Sequence, residues 1–534
     1  MKARRFAVCD CETDPFKFLR VPVPFAWAYY NGLEYRQFFD TKEFADFIAT
    51  RDEVIYAHNG GRFDFHFLLD QLNDFQEIKI INGRLAQAKL GKATLRDSLL
   101  ILPIPLKAFK KDEIDYGKFE KERRQDNMPE ILRYLEMDCR YLYELIEDFR
   151  TKFGNRLTLA GAAMHFWAEN FNAGVKPQTS KAYYKSIFPW YAGGMVRVFK
   201  PGIHAPKGGI RSFDINSAYP YAMTFEHPCG PIAIQKRTFT DKALTRSFVQ
   251  IVAPSVGYFG LMQDGKREYP SDGRERVFHV TGWELKAALE MGMKLTRVIK
   301  TMEFVNTMKF DDYVKHFFKL KNEAPKESSA RLLAKLALNS LYGKFAANPE
   351  NYSRFAIAPA TNWEKYASAK GFLFLDVMGE KVLLHAPLPQ SQERYYDLAE
   401  GASVTGFVRA VLMKAIAQND TYYCDTDCVH IAGEFRGKTG TGLGDWAPEF
   451  TAKRAAYAGP KLYAMEGDNG KMKTASKGVR LSSADIFRLA KGETVTHKKD
   501  APTFSIRRGA SFTQRNIVAT ALKAGNYRAD NLVV

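Results

Sequence analysis

The sequence predicts an α/β protein built from several domains. The chain has 534 residues, three to four times the ~150 residues of an ordinary domain, so more than one core is expected. Hydrophobic residues make up 46% and charged residues 26% of it, a balance that excludes wholesale disorder and a membrane bundle. Over the first ~150 residues, strand-like runs alternate with helical ones, which is typical of an α/β domain with a largely covered sheet.

The elements of this first domain follow from periodicity and from helix-start signals. Predicted elements are strands at FAVCD (6–10), FAWAYY (25–30) and EVIYAH (53–58) and a helix at FADFIAT (44–50). A further helix is predicted over 129–149, opening near Pro129 after a highly charged stretch, because proline suits the first turn of a helix. A Gly- and Pro-rich segment near residue 200 marks the entry into a second large domain.

Two later segments carry strong local signals. Residues 327–343, ESSARLLAKLALNSLYG, predict a helix with Ser328 or Ser329 as N-cap and Gly343 as its end. Residues 421–431, TYYCDTDCVHI, predict two short strands joined by a tight turn. The last 54 residues predict an additional basic module at the C-terminus.

The charge balance indicates a polyanionic partner. The chain carries 78 Lys and Arg against 60 Asp and Glu, a net charge of +18, and nucleic acid is favoured over an anionic membrane because no strongly basic amphipathic helix is evident. No apolar run has transmembrane length, and the start MKARRFAVCD lacks the features of a signal peptide. We therefore expect a cytoplasmic protein with no membrane partner. The six cysteines form no C-x-x-C pair and are expected to be small buried hydrophobic residues.

Acidic residues of the first domain form one candidate metal-binding set. Asp10 and Glu12 alternate on a predicted strand, so both carboxylates share a face. Asp64 follows another strand, and Tyr134 and Asp138 lie four residues apart on one helix face. Adjacent carboxylates repel unless a cation lies between them, and oxygen ligands suit magnesium or manganese. The four acids supply what two-metal phosphodiester hydrolysis requires, with the tyrosine to orient the attacking water.

These segments resemble the three motifs of the proofreading 3′–5′ exonuclease domain of family B DNA polymerases, D-x-E, N-x(2–4)-F/Y-D and Y-x-x-x-D. The resemblance implies an RNase H-like (DnaQ-like) domain whose catalytic metal ligands are Asp10, Glu12, Asp64 and Asp138, with Tyr134 as helper. LRDSL (95–99) and KDEIDY (111–116) are similar to secondary motifs of the protein-primed branch, which adds Lys111 as a catalytic-site cation. Contacts to the single strand or primer end are implied for Thr13, Asn59, Phe63, Ser98, Leu99 and Tyr116. The spacing of five between Asn59 and Asp64 is one more than expected.

A second acidic set lies later in the chain. Asp214 ends a predicted strand, and Asp425 and Asp427 alternate at the tip of the predicted hairpin, where two buried acids are costly without a cation. The predicted helix between them carries a polar stripe suited to the triphosphate and base of a nucleotide: Arg331, Lys335, Asn339 and Tyr342. Cations at the acids and positive charge near the leaving phosphates are what phosphoryl transfer requires.

RSFDINSAYP, KLALNSLYG and YYCDTDC resemble motifs A, B and C of family B polymerases, in the family's order. The resemblance implies a right-hand polymerase domain of palm, fingers and thumb, with catalytic metal ligands at Asp214, Asp425 and Asp427. It also makes Tyr219 the steric gate that selects dNTPs over rNTPs. YAGG (191–194), TGFVR (405–409) and KLY (461–463) are similar to DNA-contacting elements of the family. The contacts implied by those elements are Tyr191, Gly193, Gly194, Thr405, Arg409, Lys461 and Tyr463.

The resemblance covers nearly the whole chain and is closest to the small protein-primed branch encoded by phages with linear genomes. It implies two divalent cations per active site, magnesium or manganese. The implied partners are a DNA primer-template, dNTPs and a terminal protein primer, in the host cytoplasm. The implied divisions are an exonuclease domain (1–155), palm (156–226), a terminal-protein-binding insert (227–308), fingers (309–346), a second insert for processivity and strand displacement (347–400), palm (401–480) and thumb (481–534).

Three other functions are weighed against this interpretation. GEFRGKT (433–439) is similar to a Walker A phosphate loop, but it has three residues rather than four between its glycines. A stand-alone 3′–5′ exonuclease with a non-catalytic DNA-binding C-terminal region leaves the second acidic set unexplained. An RNA-synthesising enzyme is disfavoured by Tyr219.

Overall fold

The computed structural model describes most of the chain. It covers residues 5–16, 19–109, 112–172, 181–263, 266–348, 352–389, 397–478, 480–507, 509–520 and 532–533. Lys111, predicted as a catalytic-site cation, lies outside the described residues. Within these ranges, none of the helices combines the length and the apolar character needed to cross a membrane.

The N-terminal region is an α/β unit, as predicted. Its strands are β1 (Phe6–Thr13), β2 (Pro24–Tyr30), β3 (Tyr35–Phe38), β4 (Val54–Ala57), β5 (Gln76–Ile81), β6 (Arg84–Leu90) and β7 (Ala93–Asp97). Its helices are α1 (Thr41–Ala49), α2 (Lys121–Phe153) and α3 (Leu159–Asn170), with 3-10 turns at Gly60–Arg62, Asp64–Gln71, Ser98–Leu100, Leu106–Ala108 and Tyr116–Phe119. Strand β1 pairs in parallel with β4 and antiparallel with β2, and β4 pairs in parallel with β7. The predicted strands and the first helix are therefore confirmed.

Helix α2 begins at Lys121, well before the predicted start near Pro129, which lies inside the helix. The missing N–H of this proline leaves the carbonyl of Gln125 without its helical partner. Because Gln125 is exposed, water can satisfy that carbonyl, and the helix continues through the proline.

The middle of the chain forms one four-stranded and one two-stranded sheet, and it contributes strands to two others. Its elements are α4 (Lys181–Ile187), a 3-10 turn at Phe188–Trp190, β8 (Val196–Val198), β9 (Gly202–His204), β10 (Ile210–Ile215), α5 (Ala218–Ala222), β11 (His227–Lys236), α6 (Asp241–Leu244), β12 (Ser247–Pro254), β13 (Leu261–Gln263), β14 (Lys266–Glu268), β15 (Glu275–Thr281), α7 (Gly282–Glu290) and β16 (Arg297–Met308). Strands β11, β16, β12 and β15 form an antiparallel sheet in that order. This sheet lies inside the segment 227–308.

Three helices follow: α8 (Asp311–Glu323), α9 (Ser329–Ser340) and α10 (Tyr342–Phe345). The Ser328 hydroxyl accepts the backbone N–H of Arg331 at 3.2 Å, so the predicted N-cap is confirmed. The predicted end at Gly343 is wrong, since Gly343 lies inside α10. Helix α9 ends at Ser340, whose hydroxyl donates to the carbonyl of Leu336 at 2.6 Å, a bond of the kind that often bends helices.

Residues 353–387 extend the N-terminal sheet. They form β17 (Ser353–Pro359), α11 (Trp363–Lys370), β18 (Leu373–Met378) and β19 (Lys381–Pro387). Strand β17 pairs with β5, which gives one ten-stranded sheet in the order β18-β19-β17-β5-β6-β7-β4-β1-β2-β3. Ion pairs from Arg354 to Glu77 and from Lys381 to Asp74 also link this segment to the N-terminal region.

The rest of the chain completes the central sheet and ends in a long hairpin. Its elements are α12 (Leu398–Gln418), β20 (Asp420–Asp425), β21 (Cys428–Ala432), β22 (Trp446–Ala452), β23 (Arg454–Gly459), β24 (Leu462–Glu466), β25 (Met472–Ser476), α13 (Ser483–Ala490), β26 (Val495–Ser505), β27 (Gly509–Ala519) and β28 (Leu532–Val533). The central sheet has the order β22-β10-β21-β20-β8. The predicted hairpin at 421–431 is confirmed as β20 and β21. Five cysteines are buried and Cys428 is half-buried, as expected for small hydrophobic residues.

Candidate active sites

Strand β1, helix α2 and the 3-10 turn at Asp64 bring the first acidic set together. Burial raises the pKa of the Cys139 thiol, and the charges of Asp10, Asp138 and Asp64 raise it further. Burial likewise raises the pKa of Cys11, with Asp64, Asp10 and Glu12 adding to the shift. The four acids predicted from the sequence therefore occupy one neighbourhood around Cys11 and Cys139.

Asp64 is the most deeply placed of the four acids. Its residue is 1% exposed, and burial raises the pKa of its carboxyl to about 6. Its Oδ1 atom is buried and accepts no hydrogen bond from the described residues. Since buried polar atoms normally have a partner, a carboxylate oxygen in this position fits a cation.

Tyr134 lies on the same face of α2 as Asp138, as predicted, and both are buried. Its hydroxyl is 3.2 Å from the hydroxyl of Tyr116. Burial raises the pKa of Tyr134 above its ordinary range, with Tyr116 and Asp138 contributing. The phenol is therefore neutral, and a neutral O–H can both donate and accept when it orients a water molecule.

A cavity of about 1120 Å³ opens beside this set. The predicted residues that line it are Asp10, Asn59, Leu99, Tyr116 and Asp138.

Three basic residues that sequence reasoning missed line the same cavity: Arg62, Arg84 and Lys107. Arg84 donates to the side-chain oxygen of Asn59 at 3.1 Å and to Asp97 at 2.6 Å. Single basic residues in a strand or loop give no spacing signal, so only the fold could place them here.

Other predicted contacts of the first domain lie apart from this cavity. Ser98 is fully buried, and its hydroxyl donates to the carbonyl of Ala57 at 3.2 Å. Thr13 is buried, and its hydroxyl donates to the carbonyl of Asp14. Both hydroxyls are thus bonded within the protein, and their contacts with the single strand stay a prediction. Phe63 is half-buried, with its ring centroid 5.2 Å from that of Phe504 in the C-terminal hairpin.

The central sheet brings Asp214 and Asp427 together. In the β10–β21 pair Asp214 lies opposite Cys428, and the N–H of Ile215 donates to the carbonyl of Asp427 at 2.9 Å. Burial raises the pKa of Asp214 to about 7, with the charge of Asp427 as the second cause. Burial also raises the pKa of Asp427 to about 6. A cation between these carboxylates would relieve both costs.

Asp425 has a different environment from its two neighbours. Both of its oxygens accept from Nζ of Lys461, at 2.6 and 2.7 Å. The hydroxyls of Tyr423 and Thr426 also donate to it, at 3.2 and 3.0 Å. Asp425, predicted as a metal ligand, and Lys461, predicted as a DNA contact, are thus partners in an ion pair. The pair that fits cations is Asp214 with Asp427.

Glu449 is an acid near this pair that sequence reasoning missed. It lies on β22, next to β10 in the central sheet, and contributes to the raised pKa values of both Asp214 and Asp427. It pairs with Lys473. The strand pattern of WAPEF could have indicated it, but no motif pointed to it.

Two of the predicted nucleotide residues, Tyr219 and Tyr342, lie near Asp427, whose charge contributes to the raised pKa of both. The rings of Tyr219 and Tyr342 stack with centroids 4.1 Å apart and planes 11° apart. On α9, Lys335 and Asn339 are exposed, and the Asn339 amide donates to the carbonyl of Lys335 at 2.8 Å. Arg331 is half-buried and donates to the carbonyl of Lys321.

The segment 191–194 contacts the turn of the β20–β21 hairpin, called here the catalytic hairpin because it carries Asp425 and Asp427. A Cβ on Gly194 would lie 2.5 Å from the hydroxyl of Thr426, so only glycine fits at this position. Gly193 is exposed and Tyr191 is half-buried.

Three other predicted DNA contacts have buried side chains that bond or pack within the protein, and their contact with DNA stays a prediction. Arg409 is 1% exposed and pairs with Glu284. Thr405 donates to the carbonyls of Gly401 and Ala402. Tyr463 packs against His430 with centroids 4.8 Å apart.

The segment 433–439 does not form a phosphate loop. It is followed by β22 rather than by a helix, and Lys438 forms an ion pair with Asp445 at 2.8 Å. A Walker A motif requires a helix N-terminus at this point, so the P-loop alternative is wrong.

Neither acidic set by itself supplies a complete set of metal ligands among the described residues. Across the described ranges, no group of three or more His, Cys, Asp and Glu side chains is arranged to hold a metal ion by itself. Magnesium is commonly bound through one or two carboxylates, with waters and substrate phosphates completing its shell. Both acidic sets fit a cation whose coordination DNA completes.

Comparisons with known proteins agree with this arrangement. The family described as DNA polymerase type B, organellar and viral, matches residues 104–370. The DNA-directed DNA polymerase of Enterobacteria phage PRD1 is 33% identical, over 97% of this chain and 98% of that protein. The DNA polymerase of Bacillus phage Nf is 26% identical, over 82% of this chain and 79% of that protein.

The fold is shared with a solved polymerase. The structure of phi29 DNA polymerase with primer-template DNA and incoming nucleotide substrates superimposes with a TM-score of 0.70 at 20% identity, covering 98% of this chain and 100% of that chain. The predicted multi-domain α/β fold class is confirmed, and the match is consistent with an exonuclease domain followed by a polymerase domain. Together with the full-length similarity to the PRD1 enzyme, this shows that the chain belongs to the organellar and viral type B DNA polymerases and is a DNA-directed DNA polymerase.

Proposed function

We propose that the chain works through two separate catalytic centres, one for dNTP incorporation and one for 3′–5′ exonuclease proofreading. The first is built on Asp214 and Asp427 of the central sheet, and the second on the acidic set around Asp10 and Asp64. The observation that carries the proposal is that each set contains carboxylates of raised pKa, buried at Asp64 and half-buried at Asp214 and Asp427, together with a groove or stripe that carries basic residues.

In the polymerase centre, the protein binds the incoming nucleotide and limits its sugar. The exposed Lys335 and Asn339 and the adjoining Arg331 face the triphosphate and base, where positive charge stabilises the leaving phosphates. The stacked rings of Tyr219 and Tyr342 close the space that a ribose 2′-hydroxyl needs.

Asp214 and Asp427 would hold two divalent cations, magnesium or manganese, which when bound neutralise charge on the transferred phosphate. Lys461 forms an ion pair with the neighbouring Asp425 and compensates its charge. Asp425 therefore does not add a third uncompensated negative charge to Asp214 and Asp427.

In the exonuclease centre, the single strand enters the cavity lined by Asn59, Leu99 and Tyr116. Arg62, Arg84 and Lys107 neutralise its phosphates. Tyr134 orients the attacking water next to Asp138, and Asp10, Glu12, Asp64 and Asp138 would hold the two cations of this centre. Lys111 completes the site in this proposal.

We also propose that synthesis is protein-primed and strand-displacing, with DNA primer-template, dNTPs and a terminal protein as partners, in the host cytoplasm. The segment 227–308, which has its own sheet, is the insert that meets the terminal protein. Residues 347–400 serve processivity, and the other divisions are exonuclease (1–155), palm (156–226 and 401–480), fingers (309–346) and thumb (481–534). Support comes from the two inserted segments and from the phi29 polymerase, which was solved with primer-template DNA and incoming nucleotides.

Primer extension on a singly primed DNA circle tests this function. With dNTPs and magnesium we expect products longer than one circumference, and none with the Asp427→Ala variant. Products that stop at one circumference would contradict strand displacement. A separate assay for a dNMP linked to a protein partner tests priming, and its failure with every candidate partner encoded beside this chain would contradict that part.

A further inference from the structure

Two arginines hold three consecutive carbonyls beside the polymerase centre. Arg267 donates from Nη2 to the carbonyl of Tyr191 at 2.9 Å. Arg409 donates from Nη1 to the carbonyl of Ala192 and, at 2.9 Å, to that of Gly193. Few side chains other than arginine present several N–H donors in a rigid fork. The backbone of 191–193 is therefore fixed from one side by side chains rather than by a strand partner.

Both arginines are anchored in the segment 227–308. Arg409, on α12, forms a bidentate pair with Glu284 of α7, with N–O distances of 2.7 and 2.9 Å. Thr281, at the N-cap of α7, donates its hydroxyl to the same carboxylate at 2.8 Å. Arg267 lies on β14, and its other terminal nitrogen donates to the carbonyl of Gly260 at 3.4 Å. Two residues of this segment, Arg267 and Glu284, thus reach the backbone at 191–193, one directly and one through Arg409.

The backbone at 191–193 continues into residues that contact the turn between β20 and β21, next to Asp427. Gly194 packs against the side chain of Thr426, and the N–H of Thr426 donates to the carbonyl of Met195 at 2.7 Å. Thr426 has a left-handed backbone, with φ of 63°, a conformation that a β-branched residue keeps only when its surroundings enforce it. Asp427 follows directly in the chain.

We propose that Arg267 and Glu284 are positioning residues for dNTP incorporation, because they fix 191–194 against Thr426 and so set the position of Asp427. The proposal rests on the role proposed above for Asp427. Both residues act through the protein groups that they bind, and both lie in the segment expected to meet the priming partner. The same contacts that position Asp427 also tie that segment to the catalytic hairpin.

The test compares three arginine variants in the full-length chain. Arg267→Met removes the hydrogen bonds and keeps an apolar stem, and Arg267→Lys keeps the charge but loses the fork. Arg274→Met is the matched control, because Arg274 lies in the same segment with a side chain 80% exposed. Single-turnover kinetics give the rate and the dNTP affinity on primer-template DNA, and degradation of a single-stranded oligonucleotide reports the exonuclease.

For Arg267→Met we expect a loss of incorporation efficiency of at least about tenfold, mainly in the rate, since a displacement of 1 Å can cost about a hundredfold. Arg267→Lys should fall between this variant and the wild type. Degradation should stay within about twofold for all three variants. Wild-type incorporation by Arg267→Met would overturn the proposal. If that variant loses both activities, Arg267→Lys decides, and its wild-type incorporation would equally overturn it.

The role of Asp427 is checked in parallel. Incorporation that survives in Asp427→Ala would overturn the polymerase centre itself. Incorporation that is lost in Asp427→Ala but unchanged in Arg267→Met would overturn the positioning role alone.

Discussion

Tyr219 is held so that its ring has little freedom to move aside. It stacks on Tyr342 at 4.1 Å, and Pro220 follows it in α5. In the proposed function, a ring fixed in this way would discriminate by exclusion, because a nucleotide with an additional hydroxyl would have to displace both aromatic side chains.

Replacing this ring should therefore relax sugar selection. We expect Tyr219→Val to lower the preference for dNTPs over rNTPs by about 10- to 200-fold, the range for one steric contact in a fitted pocket. Single-nucleotide incorporation of matched dNTP and rNTP measures the ratio. Unchanged discrimination would remove Tyr219 as the gate.

Glu400 is a buried acid outside both proposed catalytic centres. It is fully buried in α12, and neither of its carboxylate oxygens accepts a hydrogen bond within the described residues. Burial raises its pKa well above the ordinary 4.5, and the charge of Asp397 raises it further. A carboxyl with a raised pKa in the folded state lowers stability as the pH rises, since the unfolded chain releases the proton first.

Glu400→Gln should therefore stabilise the protein in a pH-dependent way. Well below the ordinary pKa of 4.5 the carboxyl is protonated in both states, so the variant gains little there. Each unit by which the folded pKa exceeds the unfolded one costs about 1.4 kcal/mol at higher pH, and we expect a gain of at least about 2 °C in Tm at pH 8. A gain that does not grow between pH 5 and pH 8 would contradict the assignment.

The control for Glu400 is one turn earlier in the same helix. Asp397 accepts hydrogen bonds from the N–H of Gly230 at 2.7 Å, the N–H of Ala399 and the hydroxyl of Tyr183. Asp397→Asn should lower the Tm because it removes an acceptor from this network. The loss should be smaller at high pH, since burial raises the pKa of Asp397 to about 6 and its charge raises the pKa of Glu400.

Residues in motifs of defined spacing could be predicted from the sequence, whereas the burial of an individual side chain could not. Asp10, Asp64 and Asp138 stand in spaced motifs, and the fold brings them together. Arg409 also stands in a motif, but whether a side chain points to solvent or into the protein depends on packing between distant segments. Its partner Glu284 is 125 residues away, and no local pattern connects them.

At the level of elements, α7 and α12 are joined by one buried ion pair and one exposed pair. Arg409 and Glu284 are buried, with side chains 2% and 6% exposed. Lys414 and Glu290 link the same two helices at the surface, with side chains 43% and 45% exposed. This arrangement allows a buried and an exposed ion pair between the same two helices to be compared.

Arg409→Met should destabilise the protein by about 3–5 kcal/mol, because it leaves Glu284 buried and unpaired. Lys414→Met should cost less than about 1 kcal/mol, since surface pairs contribute little. Urea unfolding followed by a fluorescence probe measures both. Equal losses in the two variants would contradict the role given to burial. The double variant Arg409→Met with Glu284→Leu should recover part of the loss.

Element boundaries depended on features that periodicity does not encode. The N-cap Ser328 was predictable because its chemistry is local. The start of α2 was not, because the helix passes through Pro129 where an exposed carbonyl can bind water. Gly343 lies within α10, so glycine alone did not mark a helix end.

At the scale of the whole molecule, two contacts between segments far apart in sequence join later parts of the chain to the N-terminal region. Strand β17 pairs with β5 of the N-terminal sheet, and Phe504 of the C-terminal hairpin packs against Phe63. Neither contact has a sequence signature, since strand pairing between distant segments depends on the finished topology. The two-domain plan was predictable from motif order, but the shared ten-stranded sheet was not.

The net charge of +18 should make DNA binding strongly dependent on salt. Each phosphate neutralised by Lys or Arg releases a counterion, so six to ten contacts would reduce affinity by about 10³–10⁵ between 50 and 200 mM salt. Fluorescence anisotropy with labelled primer-template DNA at several salt concentrations measures the slope. A flat response would mean that the positive charge does not serve DNA binding.

The most direct test of the two-centre account is a reciprocal pair of variants assayed for both activities. Asp214→Ala should reduce dNTP incorporation below about 1% of wild type, because metal-assisted charge stabilisation is worth several kcal/mol, while single-strand degradation stays within about twofold. Asp10→Ala with Glu12→Ala should do the opposite. Loss of both activities in either folded variant would contradict the existence of two independent centres.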